Sequence, residues 1–462
     1  MLSAPFDLLR CSWPRPIIRE GDTWVSEPEW DAPAMPLLPH LRGEIIADEL
    51  CWLFDWRDTF RQGLKIWDVR AGGTMCDFHV VFRLRMRRGG RLIFWDDDGC
   101  LIRRNGDLVH SDRGAHPLVQ HEIAVEAGDV LEVAHWQLNW DWQWAARLAE
   151  PDQPGGRPHD LLLPYLAQVQ ERLQHPEGPP LKCYTGGKHP LRAAVAIYSL
   201  VLNGYSPSGV YLFGEEQWSP QSRAIFAALL PFAQVVPTEH LLRDITAQAG
   251  ATLAHLARQH WFVMKMCVGL LAGPDEYCLM DDDVFILERL DEALAAFRDH
   301  DLVYTPDQDH GGGYLGTWGR VFGRGGPLPT HRFNAGLYWA RRIDDLGRYA
   351  RQAVAVRPNP HVGHLWEQGF IALAYARRPT LQLPSQRYLM PLFDGLPGGL
   401  LGYDYRLNPC GFASIHYGGL FEKPSDGVAL QLAPHLLEAR PLALQQNALE
   451  EQPLRAESVL QA

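Results

Sequence analysis

The stretch YCLMDDDVFIL, Tyr277 to Leu287, sets three consecutive carboxylates between two apolar runs. Adjacent like charges repel, and the flanking residues read as buried, so the triplet calls for a compensating cation. The run EYCLM reads as a strand that ends at Asp281. In an open α/β sheet, ligands bind beyond the carboxyl ends of the strands. If the extended geometry continues, alternation puts Asp281 and Asp283 on one side and turns Asp282 away. Two carboxylates converging at a strand end make a hard-oxygen site for Mn²⁺ or Mg²⁺, and such an ion could hold a diphosphate. A triplet of this kind, taken alone, also suits a solvated turn or a helix cap.

The same chain offers a comparison in LIFWDDDGC, Leu92 to Cys100. There Gly99 follows the acids and CLIRR starts at once, which reads as a hairpin turn through Asp96, Asp97 and Asp98. No glycine follows Asp283, and VFIL runs straight on. An EF-hand loop would need a glycine at its sixth position and a closing glutamate, both missing here. A phosphatase-type aspartyl nucleophile fits poorly, because the residues after Asp283 are all apolar. GGKH at 186–189 lacks the glycine and hydroxyl residues of a phosphate loop and reads as a turn into a helix.

The acidic triplet lies in an alternating series. LKCYT, GVYLFGE, QVVPTEH, EYCLM and DLVYT read as strands, with helical patterns between them. SPQSRAIFAALLPF carries a serine cap and a proline in its first turn. The series implies an α/β domain with a mostly parallel, helix-covered sheet. Residues 1–150 differ: eleven of the sixteen tryptophans lie there, among short β-type runs separated by RRGG, DDDG, RNGD and EAGD. They read as a smaller β-rich, Trp-rich sandwich-like domain. Residues 151–180 read as a linker, 181–425 as the α/β domain and 426–462 as a helix or tail. Trp136, Trp140, Trp142 and Trp144 could stack on a sugar acceptor, or could simply fill a small core.

A formal charge of −12 argues against general nucleic-acid binding. The eight cysteines show no paired spacing, so neither a disulfide framework nor a zinc knuckle is expected. No uncharged apolar run is long enough to span a membrane, and the expected location is the cytoplasm.

Three further segments follow the acids: RFNAGLYWARR from Arg332, an Glu367-Gln368 helix start, and SIHYGGLFEKP from Ser414. In this order the chain resembles the GT-A glycosyltransferases, most closely glycosyltransferase family 8, over Lys182 to Pro424. That family has a DxD strand end, an NxG strand, an Asp-Gln helix start and a His-x-x-Gly…Lys-Pro segment. The resemblance implies a Rossmann-like GT-A fold and a metal-dependent, retaining hexosyl transfer from a nucleotide sugar, usually UDP-linked. It makes Asp281, Asp283 and His416 the ligands of Mn²⁺ (or Mg²⁺). Lys423 would contact the diphosphate, with Gly418 and Gly419 allowing close backbone approach. Asn334 and Gly336 would lie on the acceptor or donor-sugar side, and Glu367 and Gln368 near the reacting carbon. Tyr184 and Thr185 would face the nucleotide, Asp282 is a further substrate-binding candidate, and Lys265 matches a basic residue before the DxD strand. The chain departs from the pattern with Glu367 in place of Asp, seven residues from His416 to Lys423 instead of six, and Ser425 where a Trp often stands.

The acceptor stays open among glycan, protein, lipid-linked sugar, small molecule and modified nucleic acid. Two other readings stay open too. A nucleotidyltransferase would share the sheet and the metal aspartates but needs a basic, glycine-rich loop after the first strand, which HPLRAA matches poorly. A non-catalytic carbohydrate-binding protein would have lost activity, against which intact Asp281, Asp283, His416 and Lys423 speak.

Overall fold

A computed structural model describes residues 4–12, 15–20, 23–34, 40–46, 49–55, 78–96, 99–114, 119–137, 144–149, 157–307, 333–343, 363–389, 412–417 and 424–438. The N-terminal part is built from two antiparallel sheets. One runs Phe6–Cys11, Phe78–Met86, Val130–Gln137, Cys100–Arg104, Asp107–Ser111 in spatial order, with Arg15–Pro16 paired onto Phe78–Met86. The other runs Val119–Val125, Gly90–Asp96, Ala145–Ala149, Glu49–Asp55, His40–Ile46. Their apolar faces meet: Phe54 stacks on Phe82 at 4.6 Å between centroids, and Trp144 packs edge-on against both rings. Trp24, Trp136 and Trp144 have no solvent exposure. Trp144 fills the core between the sheets, while Trp24 and Trp136 pack with Val81, Leu101 and Ala134 in a separate buried cluster, so none of the three is a stacking platform; Trp140 and Trp142 lie outside the described residues.

The Asp96 triplet does not form the expected hairpin. Gly90–Asp96 and Cys100–Arg104 belong to opposite sheets and do not pair with each other; Asp97 and Asp98 lie outside the described residues. Gly99 has φ +91°, a left-handed conformation that suits glycine.

The second part centres on a seven-stranded sheet in the order Gln234–Val235, Val210–Phe213, Leu181–Tyr184, Glu276–Met280, Phe333–Arg341, Leu302–Pro306, Thr380–Gln382. The first four strands are parallel, and Phe333–Arg341 runs antiparallel to both neighbours. Both faces are covered, which is why the strands read as near-continuous apolar runs. Cys278 and Met280 join the cluster under helices Pro190–Ser199 and Asp426–Leu437. Tyr277 and Leu279 join the opposite cluster, under helices Thr238–Ala249, Trp261–Leu271 and Gly363–Tyr375. Helix Pro220–Leu229 starts as its sequence predicts, with Ser219 Oγ accepting from Ser222 N at 3.0 Å. The buried Lys182 donates Nζ to the carbonyls of Val268, Gly269 and Ala272 at the end of Trp261–Leu271. A cation at a helix C-terminus satisfies carbonyls the helix leaves over.

Residues 151–180 are more than a linker, since Pro158–Leu162 is a 3₁₀ turn that leads into helix Leu163–Leu173. The amphipathic pattern of LPYLAQVQERL accounts for this, with Tyr165 and Val169 buried. Helix Asp426–Leu437 touches the sandwich: Gly43 N donates to Gln431 Oε1 at 2.9 Å, and Ser425 Oγ donates to Gly43 O at 3.3 Å. Among the described residues no helix is long and apolar enough to cross a membrane.

Candidate active site

Strand Glu276–Met280 delivers Asp281 to the carboxyl edge of the sheet, where Asp281 N donates to Gly336 O at 2.8 Å. The chain then turns and re-enters extended structure as Val284–Ile286. This short strand pairs antiparallel with Ser414–His416, with Val284 opposite His416. That register carries His416 to Asp283 across more than a hundred residues of sequence. His416 Nε2 lies 3.4 Å from Asp283 Oδ1 and 3.8 Å from Asp281 Oδ2. One ligand atom from each of Asp281, Asp283 and His416 lies within 4.8 Å of the others. Asp283 has no solvent exposure.

Lys265, from helix Trp261–Leu271, is buried against this group. Its Nζ lies 2.8 Å from both Asp281 oxygens and 3.4 Å from Glu367 Oε1. Burial alone would lower the Lys265 pKa, but the Asp281 and Glu367 carboxylates outweigh it and hold the ammonium above its ordinary range. Glu367 and Gln368 stand in the second turn of helix Gly363–Tyr375, not at its start, and both are buried. Gln368 Oε1 is enclosed with no hydrogen-bond partner among the described residues.

The extended geometry does not continue past Met280: Asp281–Val284 is a turn, with Val284 N donating to Asp281 O at 3.3 Å, and it is this turn that points Asp282 the other way. It accepts from Thr185 Oγ1 at 2.8 Å and from Arg192 Nη2 at 2.8 Å. Tyr184, next to Thr185, is buried, and its hydroxyl accepts from Gln217 Nε2 at 3.0 Å. Burial pushes the Tyr184 pKa upward. Asn334 is fully buried and turns its Oδ1 back to Gly336 N at 2.8 Å. The absence of a side chain at Gly336 matters, because a Cβ there would overlap the His416 ring. Asp281, Asp283, His416, Lys265 and Glu367 thus form one cluster, with Asn334 and Gly336 behind it and Thr185 and Asp282 beside it. Lys423, Gly418 and Gly419 lie outside the described residues.

Arg192 is the residue that reading the sequence missed. It is 4% exposed on a helix that is otherwise apolar. Besides the Asp282 carboxylate it holds the Asp282 carbonyl through Nε at 3.1 Å and the Pro424 carbonyl through Nη1 at 3.0 Å. It therefore fastens the acidic loop to the segment that follows Lys423. Asp426 completes the link by accepting from Arg192 N at 2.8 Å. The available signal was a lone arginine inside PLRAAVAIYS, a helix whose other residues are nearly all apolar.

No protein-family model and no curated protein matches the sequence. Similar solved structures include mouse xyloside xylosyltransferase 1, at 14% identity and TM-score 0.35 over 54% of this chain and 99% of that one. The galactosyltransferase LgtC, solved with donor and acceptor sugar analogues, aligns at 15% identity and TM-score 0.32 over 56% and 95%. The glucosyl-3-phosphoglycerate synthase of Mycobacterium tuberculosis, solved with Mn²⁺ and UDP, aligns at 10% identity and TM-score 0.24 over 51% and 75%. These likenesses are distant, and no family is assigned from them.

Proposed function

We propose that the chain is a metal-dependent glycosyltransferase of the GT-A type, moving a hexose from a UDP-linked donor to an acceptor hydroxyl with retention. The reading is carried by one observation: Asp281, Asp283 and His416 converge at the carboxyl end of a buried parallel strand, with ligand atoms within 4.8 Å. The donor set fits a divalent ion such as Mn²⁺, since an imidazole beside two carboxylates is softer than an all-oxygen cage. The space left at Gly336 is filled by the ligand ring, which also fits. Asp281, Asp283 and His416 would hold the ion, which when bound supplies positive charge against the departing diphosphate.

The remaining roles belong to the chain's own groups. Lys265 pairs with both Asp281 oxygens and fixes the direction of that carboxylate. The same ammonium restrains Glu367, whose carboxylate, with the Gln368 amide oxygen, suits the positive charge that develops at the sugar carbon. In a retaining reaction the departing phosphate takes the acceptor's proton; Glu367 becomes the base only if configuration inverts. Lys423 would add a second positive charge at the diphosphate, with Gly418 and Gly419 allowing its approach. Tyr184, Thr185 and Asp282 would border the nucleotide, and Asn334 the sugar. In this proposal residues 181–425 are the catalytic domain and the β-rich part before them is accessory. A nucleotidyltransferase would need basic side chains free for a triphosphate after the first strand, whereas Arg192 is engaged by Asp282 and Pro424.

A panel of nucleotide sugars incubated with Mn²⁺ and no acceptor tests the proposal, because slow transfer to water reports the donor. Turnover of one donor, lost on chelation and in Asp283→Ala, is the expected result. If folded protein neither consumes a donor nor binds a nucleotide in a metal-dependent way, the reading fails.

A further inference from the structure

A second cluster of metal-ligating side chains lies in the sandwich, on none of the elements that build the Asp281 site. Asp96 ends strand Gly90–Asp96 and has no solvent exposure. His121 sits on Val119–Val125, the outer strand of the same sheet, paired so that Val119 faces Asp96 and His121 faces Phe94. His110 sits on Asp107–Ser111, the outer strand of the opposite sheet. One ligand atom from each of the three lies within 4.8 Å of the others. His121 Nε2 is 3.4 Å from Asp96 Oδ1 and 3.6 Å from Asp112 Oδ2.

The local structure aims these groups inward. The pairing register shifts between Leu108 and His110. Strict alternation would give His110 the face of Leu108, which is 55% exposed. A bulge of this kind re-aims a side chain. Phe94 then fixes both imidazoles, edge-on to His110 at 5.1 Å and stacked on His121 at 5.3 Å. His110 Nε2 is enclosed and makes no hydrogen bond among the described residues.

We propose that Asp96, His110 and His121, with Asp112 as a fourth donor, form a site for a Zn²⁺-class transition metal. Two imidazoles with carboxylates are the ligands such ions take, whereas Ca²⁺ and Mg²⁺ take oxygen cages. The role is structural. Strand Asp107–Ser111 buries none of its residues fully, and Val119–Val125 buries only Val125, so apolar packing holds both outer strands weakly. A metal bridging them ties the two sheets together at that edge. His121 and Asp112 keep side-chain exposures of 18% and 26%, which leaves a path for the ion to enter.

The test uses the full chain carrying Asp283→Asn, which disables the other candidate site. Co²⁺ is the visible probe and Zn²⁺ its competitor. One equivalent of Co²⁺ should give ligand-field absorption of a nitrogen-containing, low-coordinate site, bleached by Zn²⁺. Adding His110→Asn or His121→Asn should weaken binding at least about 10-fold. No bound Co²⁺ or Zn²⁺, or an affinity indifferent to His110→Asn, overturns the proposal. If the histidine variants fail to fold, the thermal transition of the Asp283→Asn chain decides. It should fall with a chelator and recover with Zn²⁺, and a transition indifferent to both overturns the proposal.

Discussion

Gly336 and Arg192 act on the site through their neighbours, one leaving room for the His416 ring and the other holding Asp282 and the Pro424 carbonyl. Gly336→Ala would push a methyl group into the His416 ring. It should weaken Mn²⁺ binding on the order of 10–100-fold while the chain stays folded, as calorimetry would show. Unchanged affinity would mean that His416 is not a ligand. Arg192→Met should free Asp282 and the Pro424 carbonyl together, lowering donor turnover about 10-fold or more with the Mn²⁺ affinity nearly kept. Rescue by Arg192→Lys should be poor, because one ammonium cannot span the three acceptors a guanidinium reaches. The aspartates and His416 were legible because a strand end and an ordered set of short motifs announce them. Arg192 was not, since its partners lie 90 and 232 residues away and nothing local marks them.

At the scale of elements, EYCLM was legible because a strand covered on both faces is an unbroken apolar run. The helix opened by Ser219 was legible from its cap and proline, and Ser219→Ala should cost about 1 kcal/mol in urea unfolding. A loss near zero would mean that the cap hydrogen bond is replaced by water. The sheet change between Gly90–Asp96 and Cys100–Arg104 was not legible, because turn chemistry does not fix which sheet the next strand joins. The pairing of Val284–Ile286 with Ser414–His416 was equally hidden. Three-residue strands carry too little pattern to announce a partner, yet this pairing assembles the site.

Across the whole molecule, two parts meet where helix Asp426–Leu437 lies against strand His40–Ile46. Gly427 and Gly43 make that approach possible, because a Cβ on either would overlap the other's backbone. Gly427→Ala should therefore loosen the joint. Tryptophan fluorescence, dominated by the first 150 residues, and helix ellipticity should then lose a shared unfolding midpoint; midpoints that still coincide would contradict this. The sandwich also carries an acid sensitivity. Burial holds His79 at about 4 and His135 at about 3, and Glu29 N donates to His79 Nε2 at 3.1 Å, which requires that nitrogen unprotonated. From about one pH unit above 6.5 these rings are neutral folded or unfolded and contribute nothing to the pH dependence. As pH falls below that, the unfolded chain takes up protons first, so stability drops until the folded values near 4 and 3 are passed. The slope is at most about 1.4 kcal/mol per pH unit for each ring. Fluorescence-detected urea midpoints should fall steadily between about pH 6.5 and 4, and a flat profile would rule these rings out. The most direct test of the active-site assignment is calorimetric titration of UDP into the chain with and without Mn²⁺, repeated for Asp283→Asn. The account predicts binding that needs the metal and disappears in the variant; UDP binding that is indifferent to both, or absent from folded protein, would contradict it.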